Sequence, residues 1–374
     1  MALLSSTANS HKERYSLLWR LHIDAPLLLG ILALMAFSLL AVYSAGGESM
    51  ALVKRQAIRF AAGLVVMFVL AQFEPRTFRQ WAPALYLVGI IFLLGVIFFG
   101  ESSKGAQRWI DIGIRFQPSE IMKLAVPLMV AWYFAEKPLP PTFLQTVGSL
   151  VLVLTPVVLI ILQPDLGTSV LIAASGLFVV FFAGIRWRYI LGALLLVAVL
   201  IPVMWYFVMH DYQKGRVLTF LNPERDPLGA GYHIIQSQIA IGSGGIYGKG
   251  WLNGTQSQLE FLPERHTDFI FAVIGEEFGL VGIVLLLALY AFVIVRGIYI
   301  SLQGQETFSR LLGASLILTF FIYIFVNIGM VSGLLPVVGL PLPLISYGGT
   351  SIVTLMAAFG ILMSIQTHRR LHST

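Results

Sequence analysis

The sequence predicts an all-α polytopic membrane protein, a bundle of about ten transmembrane helices with one large extracytoplasmic loop before helix 8. Of its 374 residues, 57% are hydrophobic and 11% are charged, whereas a soluble domain carries about 25% charged residues. Its unbroken apolar runs reach the roughly 20 residues that a bilayer-spanning helix needs. The alternating strands of a transmembrane β-barrel do not produce such runs. The composition therefore excludes a soluble enzyme, a disordered chain and a collagenous chain.

The apolar runs define ten predicted spans, and both termini then lie on the same side of the membrane. The polar start of the chain precedes an apolar run that is too long for a cleaved signal, so we expect a retained first span. We expect residues 1–374 to form a single transmembrane domain. The predicted spans cover residues 25–45, 56–73, 82–100, 118–135, 142–162, 167–185, 189–209, 268–299, 307–333 and 347–366.

Charge patterning predicts the orientation and excludes some partners. The short segments on the side of the termini carry more Lys and Arg than the short segments on the other side, which favours cytoplasmic termini. The long loop 210–267 is then extracytoplasmic. The net charge is +6, but the basic residues are scattered, which favours anionic lipid over nucleic acid as their partner. The chain has no cysteine, so it has no disulfide, thiolate nucleophile or cysteine metal site.

Several polar residues stand at the ends of predicted spans. Pro118 suits the first position of a helix, Glu120 lies in its first turn, and Lys123 follows on the same face. This pair is either a structural bridge or the lining of an outward cavity in which Lys123 meets an anionic substrate. Asp165 lies in the short turn before span 6, where it is either an N-cap or a substrate-binding residue.

Three further segments lie in the predicted extracytoplasmic regions. The alternating pattern of 110–116 predicts an extended or hairpin segment at the outer interface. Residues 234–241 predict a short amphipathic helix lying on the membrane. The glycine-rich run 242–250 does not fit a phosphate-binding P-loop, and we expect flexible backbone that closes over a ligand.

Asp268 is the main candidate for acid–base chemistry. It stands at the mouth of span 8, two residues after His266, where partial desolvation favours a general base. The alternative is that Thr267 or Asp268 caps the helix. Two turns deeper, Glu276 and Glu277 are either bundle contacts or proton-relay groups. The prolines and glycines of 335–349 break helical structure at membrane depth, which is tolerated only where the backbone is buried in protein or lines a cavity.

Five strings in order along the chain resemble the SEDS (shape, elongation, division, sporulation) family. The short N-terminal segment and the motif ERHTDFIF favour the elongation branch of this family over its division branch. The strings are QPSE with Lys123, QPDLGT, GYHIIQSQIAIGSGG, LPERHTDFIF and NIGMVSGLLPVVGLPLPLISYGGTS.

The resemblance implies a peptidoglycan glycosyltransferase that polymerises lipid II at the outer face of the bacterial cytoplasmic membrane during cell elongation. It implies that Asp268 is the catalytic carboxylate and that Glu260 occupies a position needed for activity. It also implies that Glu120 and Lys123 line a central cavity. The implied partners are a class B penicillin-binding protein, which cross-links the new glycan, and other rod-complex proteins.

The chemistry of these residues is compatible with glycosyl transfer. Asp268 can deprotonate the acceptor sugar hydroxyl, with His266, Glu260 and Asp165 as further substrate-binding candidates. The leaving diphosphate needs positive charge, which Lys123, Arg216 or a divalent cation (Mg²⁺ or Mn²⁺) bound to the diphosphate can supply. No Cys/His cluster marks a built-in metal site, so no cofactor is certain. Helix count and intramembrane charges alone favour a lipid II flippase or transporter, and a scaffold for a cell-wall transpeptidase is a third hypothesis.

Overall fold

The structure is a computed structural model that describes residues 21–103, 106–111, 115–208, 214–215, 218, 230–258 and 264–368. Six of the helices in this part, namely α1, α3, α5, α10, α11 and α12, are long and apolar enough to cross a membrane. This confirms a helical, multi-pass membrane protein. In chain order the helices are α1 Ala25–Ala45, α2 Met50–Ala71, α3 Pro75–Phe99, α4 Pro118–Phe134, α5 Phe143–Leu162, α6 Leu166–Phe182, α7 Trp187–Val203, α8 Ala230–Ser243, α9 Thr255–Gln258, α10 Ile270–Leu302, α11 Thr307–Val331 and α12 Thr350–Thr367.

A helix occupies each of the ten predicted positions, and the largest differences lie at the starts of α2 and α3. The apolar scan begins these spans at 56 and 82, whereas the helices begin at Met50 and Pro75. The additional turns contain Lys54 and Arg55 in α2 and Arg76 in α3. Long basic side chains extend toward the interface while their helix continues, so the helices are longer than their apolar cores.

A small antiparallel sheet lies between α3 and α4. Its strands are β1 Glu101–Ser103, β2 Ala106–Asp111 and β3 Arg115–Phe116, in the order β1-β2-β3. Ile110 pairs with Phe116 and Asp111 pairs with Arg115. This pairing confirms the predicted extended segment, although residues 112–114 lie outside the described part of the chain.

The helices enclose one large apolar core, in which α11 and α12 are the most buried of the long helices, and a second small cluster of Leu171, Tyr323 and Leu340. In the most apolar stretch of each helix, 61% of α11 and 67% of α12 is buried, against 22% of α3. Helices α2 and α12 pack together, as do α3 with α4 and α1 with α10. Polar side chains on α11 and α12 are therefore surrounded by protein, where an intramembrane polar group finds partners.

Helix α10 is interrupted at Gly279, and the glycine-rich run 242–250 is bound to that interruption. Gly279 has φ +62°, and its neighbour Leu280 donates from its amide to the Gly245 carbonyl at 2.9 Å. The Lys249 amide donates to the Glu276 carbonyl at 3.0 Å. The prediction that this run is a flexible flap is therefore wrong. Its glycines allow close backbone approach, and the loop replaces hydrogen bonds that the helix loses at the kink.

Helix α8 confirms the predicted helix at 234–241, but it packs on protein. The Ser237 hydroxyl donates to the Val331 carbonyl at 2.7 Å, and Gln238 Nε2 donates to the Ser332 carbonyl at 3.1 Å. Ile234 is buried in the same contact. The helix thus covers the end of α11 and contacts α10.

Two consecutive buried glutamates of α10 hold the chain that follows the glycine-rich run. Glu276 Oε1 accepts from Lys249 Nζ at 2.8 Å, from the Thr255 hydroxyl at 3.1 Å and from the Gln256 amide at 2.9 Å. Glu277 accepts from the Ser44 hydroxyl of α1. Of the two interpretations of these glutamates, the contacts favour bundle contacts.

Residues 332–349 form an irregular segment between α11 and α12, and buried side chains satisfy several of its carbonyl groups. Backbone of this kind inside the membrane needs protein partners because no water is available. The predicted break is therefore confirmed together with its burial. The donors and acceptors are Ser38 Oγ to Ile345 O (2.7 Å), Gln56 Nε2 to Ser346 O (3.1 Å), Tyr290 OH to Pro343 O (2.6 Å) and Asn327 Nδ2 to Leu340 O (2.6 Å).

Polar contacts also connect the residues just before α1 with α10 and with the end of α12. Asp24 caps α1 through the Leu27 amide at 3.0 Å and binds Arg296 of α10 with both carboxylate oxygens, at 3.0 and 2.6 Å. The His22 and His368 rings stack at 4.0 Å. Burial lowers the pKa of His22, and its neighbour His368 lowers this pKa further. These contacts fix the first and last described segments to one another.

We predict that Gly248→Ala destabilises the protein. A Cβ at this position would lie 2.1 Å from the Glu277 carbonyl oxygen, and the residue has φ +77°. Such strain costs about 1–3 kcal/mol, so the melting temperature of the purified protein in detergent should fall.

Gly192→Ala is the matched control, because a Cβ there meets nothing within 4 Å. This helical position should be neutral or gain up to about 1 kcal/mol. Equal melting temperatures for the two variants would contradict the close packing of the glycine-rich run.

Candidate active site

The turn 264–269 carries Asp268 and leads into α10. The first residue before the helix is Phe269, and no side chain caps the helix. The Thr267 hydroxyl bonds Glu264 Oε2 at 2.9 Å instead. The alternative that Thr267 or Asp268 is the N-cap is therefore wrong. Asp268 itself is partly exposed, just before the start of α10.

Three consecutive carbonyls of this turn are bound by α11 and the 332–349 segment. The Tyr347 amide donates to the His266 carbonyl at 2.8 Å, and the Ser346 hydroxyl donates to the Thr267 carbonyl at 2.5 Å. Asn327 Nδ2 donates to the Asp268 carbonyl at 3.0 Å. These three hydrogen bonds hold the backbone of residues 266–268, and this limits the positions that the Asp268 carboxylate can take.

The carboxylate of Asp268 lies beside Gly339 of the irregular segment. A Cβ on Gly339 would be 3.5 Å from Asp268 Oδ2, and Gly339 has φ +71°. A glycine here leaves space next to the carboxylate, and its backbone conformation is one that other residues rarely adopt.

Glu120 and Lys123 form a buried ion pair on α4. Lys123 Nζ lies 2.6 Å from Glu120 Oε1, and the residues are only 6% and 7% exposed. The Thr354 hydroxyl of α12 donates to Glu120 Oε2 at 3.0 Å, and Lys123 Nζ is 5.2 Å from the centre of the Tyr323 ring of α11. The pair therefore joins three central helices.

Asp165 is the N-cap of α6, as the first interpretation predicts. Its side chain accepts from the Thr168 amide at 3.2 Å and from the Thr168 hydroxyl at 2.9 Å. Gln117 Nε2, just before α4, donates to Asp165 Oδ2 at 3.3 Å. The two QP-containing strings thus meet at the ends of neighbouring helices, close to the buried pair.

One turn of α11 links the two groups of candidate residues. Tyr323 contacts Lys123, and Asn327 binds the backbone of Asp268. Four helical residues rise about 6 Å, so the buried pair and the Asp268 turn lie within one helical turn of each other along α11. The structure brings Glu120, Lys123 and Asp165 together on one side and His266 and Asp268 on the other. The remaining candidates, Arg216 and Glu260, lie outside the described residues.

An apolar cavity of about 430 Å³ opens beside Glu120. Side chains of α2, α3, α4 and α12 line it, and Thr350 and Thr354 of α12 lie next to Glu120 at its polar end. Its walls are otherwise almost entirely hydrocarbon. The cavity can therefore hold an apolar chain whose polar end reaches the candidate residues.

Sequence reasoning missed three residues that organise the site, namely Asn327, Tyr323 and Thr354. Asn327 interrupts a strongly apolar run of α11, and this polar residue was the available signal. Tyr323 and Thr354 have no distinguishing pattern in the sequence, because only the packing of α11 and α12 against α4 brings them to the ion pair.

In the described part of the chain, no group of three His, Asp or Glu side chains is arranged to hold a metal ion. The candidate site thus consists of carboxylates, one buried lysine, hydroxyls and backbone groups.

Comparison with known proteins identifies the family. The sequence model of the FtsW, RodA and SpoVE proteins, described as cell cycle protein, matches residues 16–371. The chain therefore belongs to this family, which confirms the SEDS resemblance.

Relatives cover nearly the whole chain. It is 57% identical over 369 residues to peptidoglycan glycosyltransferase MrdB of Escherichia coli K12, covering 98% of this chain and 99% of the relative. It is 38% identical over 362 residues to a probable peptidoglycan glycosyltransferase FtsW of Geobacter metallireducens, covering 93% and 95%.

Solved structures share the fold. The chain resembles a chain in a solved structure that is described as the structural coordination of polymerization and crosslinking by a peptidoglycan synthase complex. The TM-score is 0.81 and the identity 34%, covering 93% of this chain and 99% of the other. It also resembles the rod shape determining protein RodA of Thermus thermophilus, with TM-score 0.70 and 29% identity, covering 92% and 96%.

We predict that Lys123→Met strongly destabilises the protein, because it leaves the Glu120 carboxylate buried without its cation. Breaking a buried pair in this way costs about 3–5 kcal/mol. The double variant Glu120→Gln/Lys123→Met removes both charges and should recover much of the lost melting temperature in detergent. If the single variant melts like the wild type, the pair does not bear on stability.

Proposed function

We propose that this protein is a peptidoglycan glycosyltransferase that polymerises lipid II into glycan strands during cell elongation. The observation that carries the proposal is the carboxylate of Asp268, held beside Gly339 by three consecutive backbone contacts, in a chain 57% identical to a protein named peptidoglycan glycosyltransferase. The higher identity to MrdB than to the FtsW relatives supports the elongation branch.

In this proposal Asp268 is the general base. Its carboxylate accepts the proton of the acceptor sugar hydroxyl as that oxygen attacks the anomeric carbon of the donor. The bond from that carbon to the diphosphate breaks, and the lipid diphosphate leaves with the bonding electrons, so the anomeric centre inverts. A positioned base contributes about 10²–10⁴-fold to such a step. The proposal also includes substrate contacts by His266, Glu260 and Asp165.

Positive charge near the diphosphate completes the proposed site. Lys123 is the candidate inside the bundle, with Arg216 as the candidate from the loop. Because Glu120 neutralises Lys123 at 2.6 Å, the pair can orient a substrate without a net buried charge. A Mg²⁺ or Mn²⁺ ion carried by the diphosphate would supply further charge, and a fall in polymerisation on adding EDTA would support it.

The proposal also concerns the membrane. We place ten spans across the bilayer as one transmembrane domain. Both termini would lie in the cytoplasm, whereas loop 210–267 and Asp268 would lie at the periplasmic face. The four helices α2, α4, α6 and α7 would join the six long helices as spans. The apolar cavity of about 430 Å³ beside Glu120 suits the prenyl chain of lipid II, because its walls are hydrocarbon and its polar end lies at the candidate site.

The proposed partner is a class B penicillin-binding protein, with other rod-complex proteins. Support comes from the resemblance to a chain of a synthase complex that coordinates polymerization and crosslinking. A polymerase that hands its product to a transpeptidase would place its site at the same face of the membrane as that partner.

We predict that Asp268→Ala and Asp268→Asn abolish polymerisation of labelled lipid II by the purified protein with its partner in liposomes. Removing the base should lower the rate about 10²–10⁴-fold while the melting temperature stays close to the wild type. Glu264→Gln is the matched control, because it removes an exposed carboxylate from the same turn and should polymerise normally.

The same assay separates the competing functions. Polymerisation that survives Asp268→Ala would overturn the base assignment. Translocation of lipid II without polymer would favour a flippase, and neither activity, with cell-wall function unaffected by Asp268→Ala, would favour a scaffold.

We further predict that the charge-neutral double variant Glu120→Gln/Lys123→Met folds but polymerises lipid II poorly, because its site lacks the ammonium group. Wild-type polymerisation by this double variant would show that the pair is only a structural bridge.

A further inference from the structure

Arg59 of α2 is a cation inside the helical bundle with an unusual environment. Its guanidinium carbon lies 4.3 Å from the centre of the Tyr347 ring, and its Nη1 donates to the Gly348 carbonyl at 3.3 Å. It lies ten residues into a 22-residue helix, well beyond the exposed Lys54 and Arg55 of the first turns. Arg59 itself is half-buried.

No carboxylate of the described residues pairs with Arg59. The salt bridges in this part of the chain use Arg76, Arg79, Lys123, Lys249 and Arg296. A basic side chain within a span is costly unless it has a counter-charge or a function. A ring face and one carbonyl do not neutralise a guanidinium, so Arg59 keeps its positive charge without a paired carboxylate among the described residues.

The contacts of Arg59 place it beside the candidate active site. The Tyr347 amide binds the His266 carbonyl at 2.8 Å, and the Tyr347 ring meets the His266 ring edge-on at 5.7 Å. A Cβ on Gly349 would be 3.9 Å from the Arg59 guanidinium, and the next residue, Thr350, lines the apolar cavity with Glu120. Arg59 therefore contacts residues that adjoin both the Asp268 turn and the polar end of that cavity.

The free edge of the guanidinium suits a phosphate group. Arginine has five N–H donors in a planar fork, and only one of them is used here. Stacking on Tyr347 holds the plane of the fork, and a fixed fork binds phosphate oxygens in pairs. Gly348 and Gly349 leave no side chain over this edge.

We propose that Arg59 binds the diphosphate of the prenyl-linked donor, with the prenyl chain in the adjacent cavity and the anomeric carbon toward Asp268. This inference rests on the proposed function and assigns the diphosphate contact to a residue that sequence reasoning did not select. Arg59 would add to the charge of Lys123, which Glu120 balances at 2.6 Å, because Arg59 has no such paired carboxylate among the described residues.

The test measures binding separately from polymerisation. Undecaprenyl diphosphate is titrated into the purified, detergent-solubilised protein and its dissociation constant is determined, with undecaprenol as the probe that lacks phosphate. Arg59→Gln should weaken undecaprenyl diphosphate binding roughly 10- to 100-fold, the range for losing a charged hydrogen-bonding partner. It should leave undecaprenol binding unchanged and raise the KM for lipid II more than it lowers kcat.

Lys54→Gln is the matched control, because it removes an exposed charge from another face of the same helix and should bind undecaprenyl diphosphate normally. Arg59→Lys keeps the charge but not the planar set of N–H donors, so it should lose less undecaprenyl diphosphate affinity than Arg59→Gln. It provides a second test of the inference if Arg59→Gln folds poorly.

Unchanged undecaprenyl diphosphate binding in folded Arg59→Gln or Arg59→Lys would overturn the inference. An equal loss of undecaprenol binding would also overturn it, since the effect would then be on the cavity and not on the phosphates. If the wild type binds undecaprenyl diphosphate through Arg59 but makes no glycan, the inference stands and the proposed function fails.

Discussion

Hydrocarbon supplies no water to pair with a backbone amide or carbonyl, so each interruption of a helix inside the bundle needs partners from protein. In the described part of the chain, non-helical backbone of this kind occurs at Gly279 within α10 and over residues 332–349. The first is paired with the glycine-rich run, and the second receives bonds from Ser38, Gln56, Tyr290 and Asn327. The packing of the central helices follows from these requirements.

The candidate site uses the same contacts. The groups that satisfy the 332–349 segment also hold the 264–269 turn, because Asn327 binds both Leu340 and Asp268, and Ser346 binds Thr267. Non-helical backbone brings a carboxylate, glycines and an arginine to one place, which regular helices with outward-pointing ends would not do. The contacts that make the fold possible thus also shape the site.

The sequence was sufficient to predict the helical membrane class and the ten helix positions, and it offered the Asp165 cap as one of two interpretations. These depend on composition, run length and local hydrogen bonding, all of which act over a few residues. It was not sufficient to predict the role of the glycine-rich run, since a flexible flap and a tightly packed loop need the same glycines. Nor could it place Tyr323, Thr354 or Arg59 in the site, because their partners lie 200 or more residues away in the chain and meet them only through helix packing.

Helix α11 sets the distance between two parts of the candidate site. Tyr323 meets the lysine of the buried pair, and Asn327, one turn further, holds the backbone of the aspartate. The separation of these two contact points is set by the pitch of an α-helix, which thermal motion changes far less than it changes a loop. A sliding or tilting of α11 would therefore carry both contact points together, and the spacing between the contact to Lys123 and the contact to the Asp268 backbone would be preserved while both shift relative to α2 and Arg59.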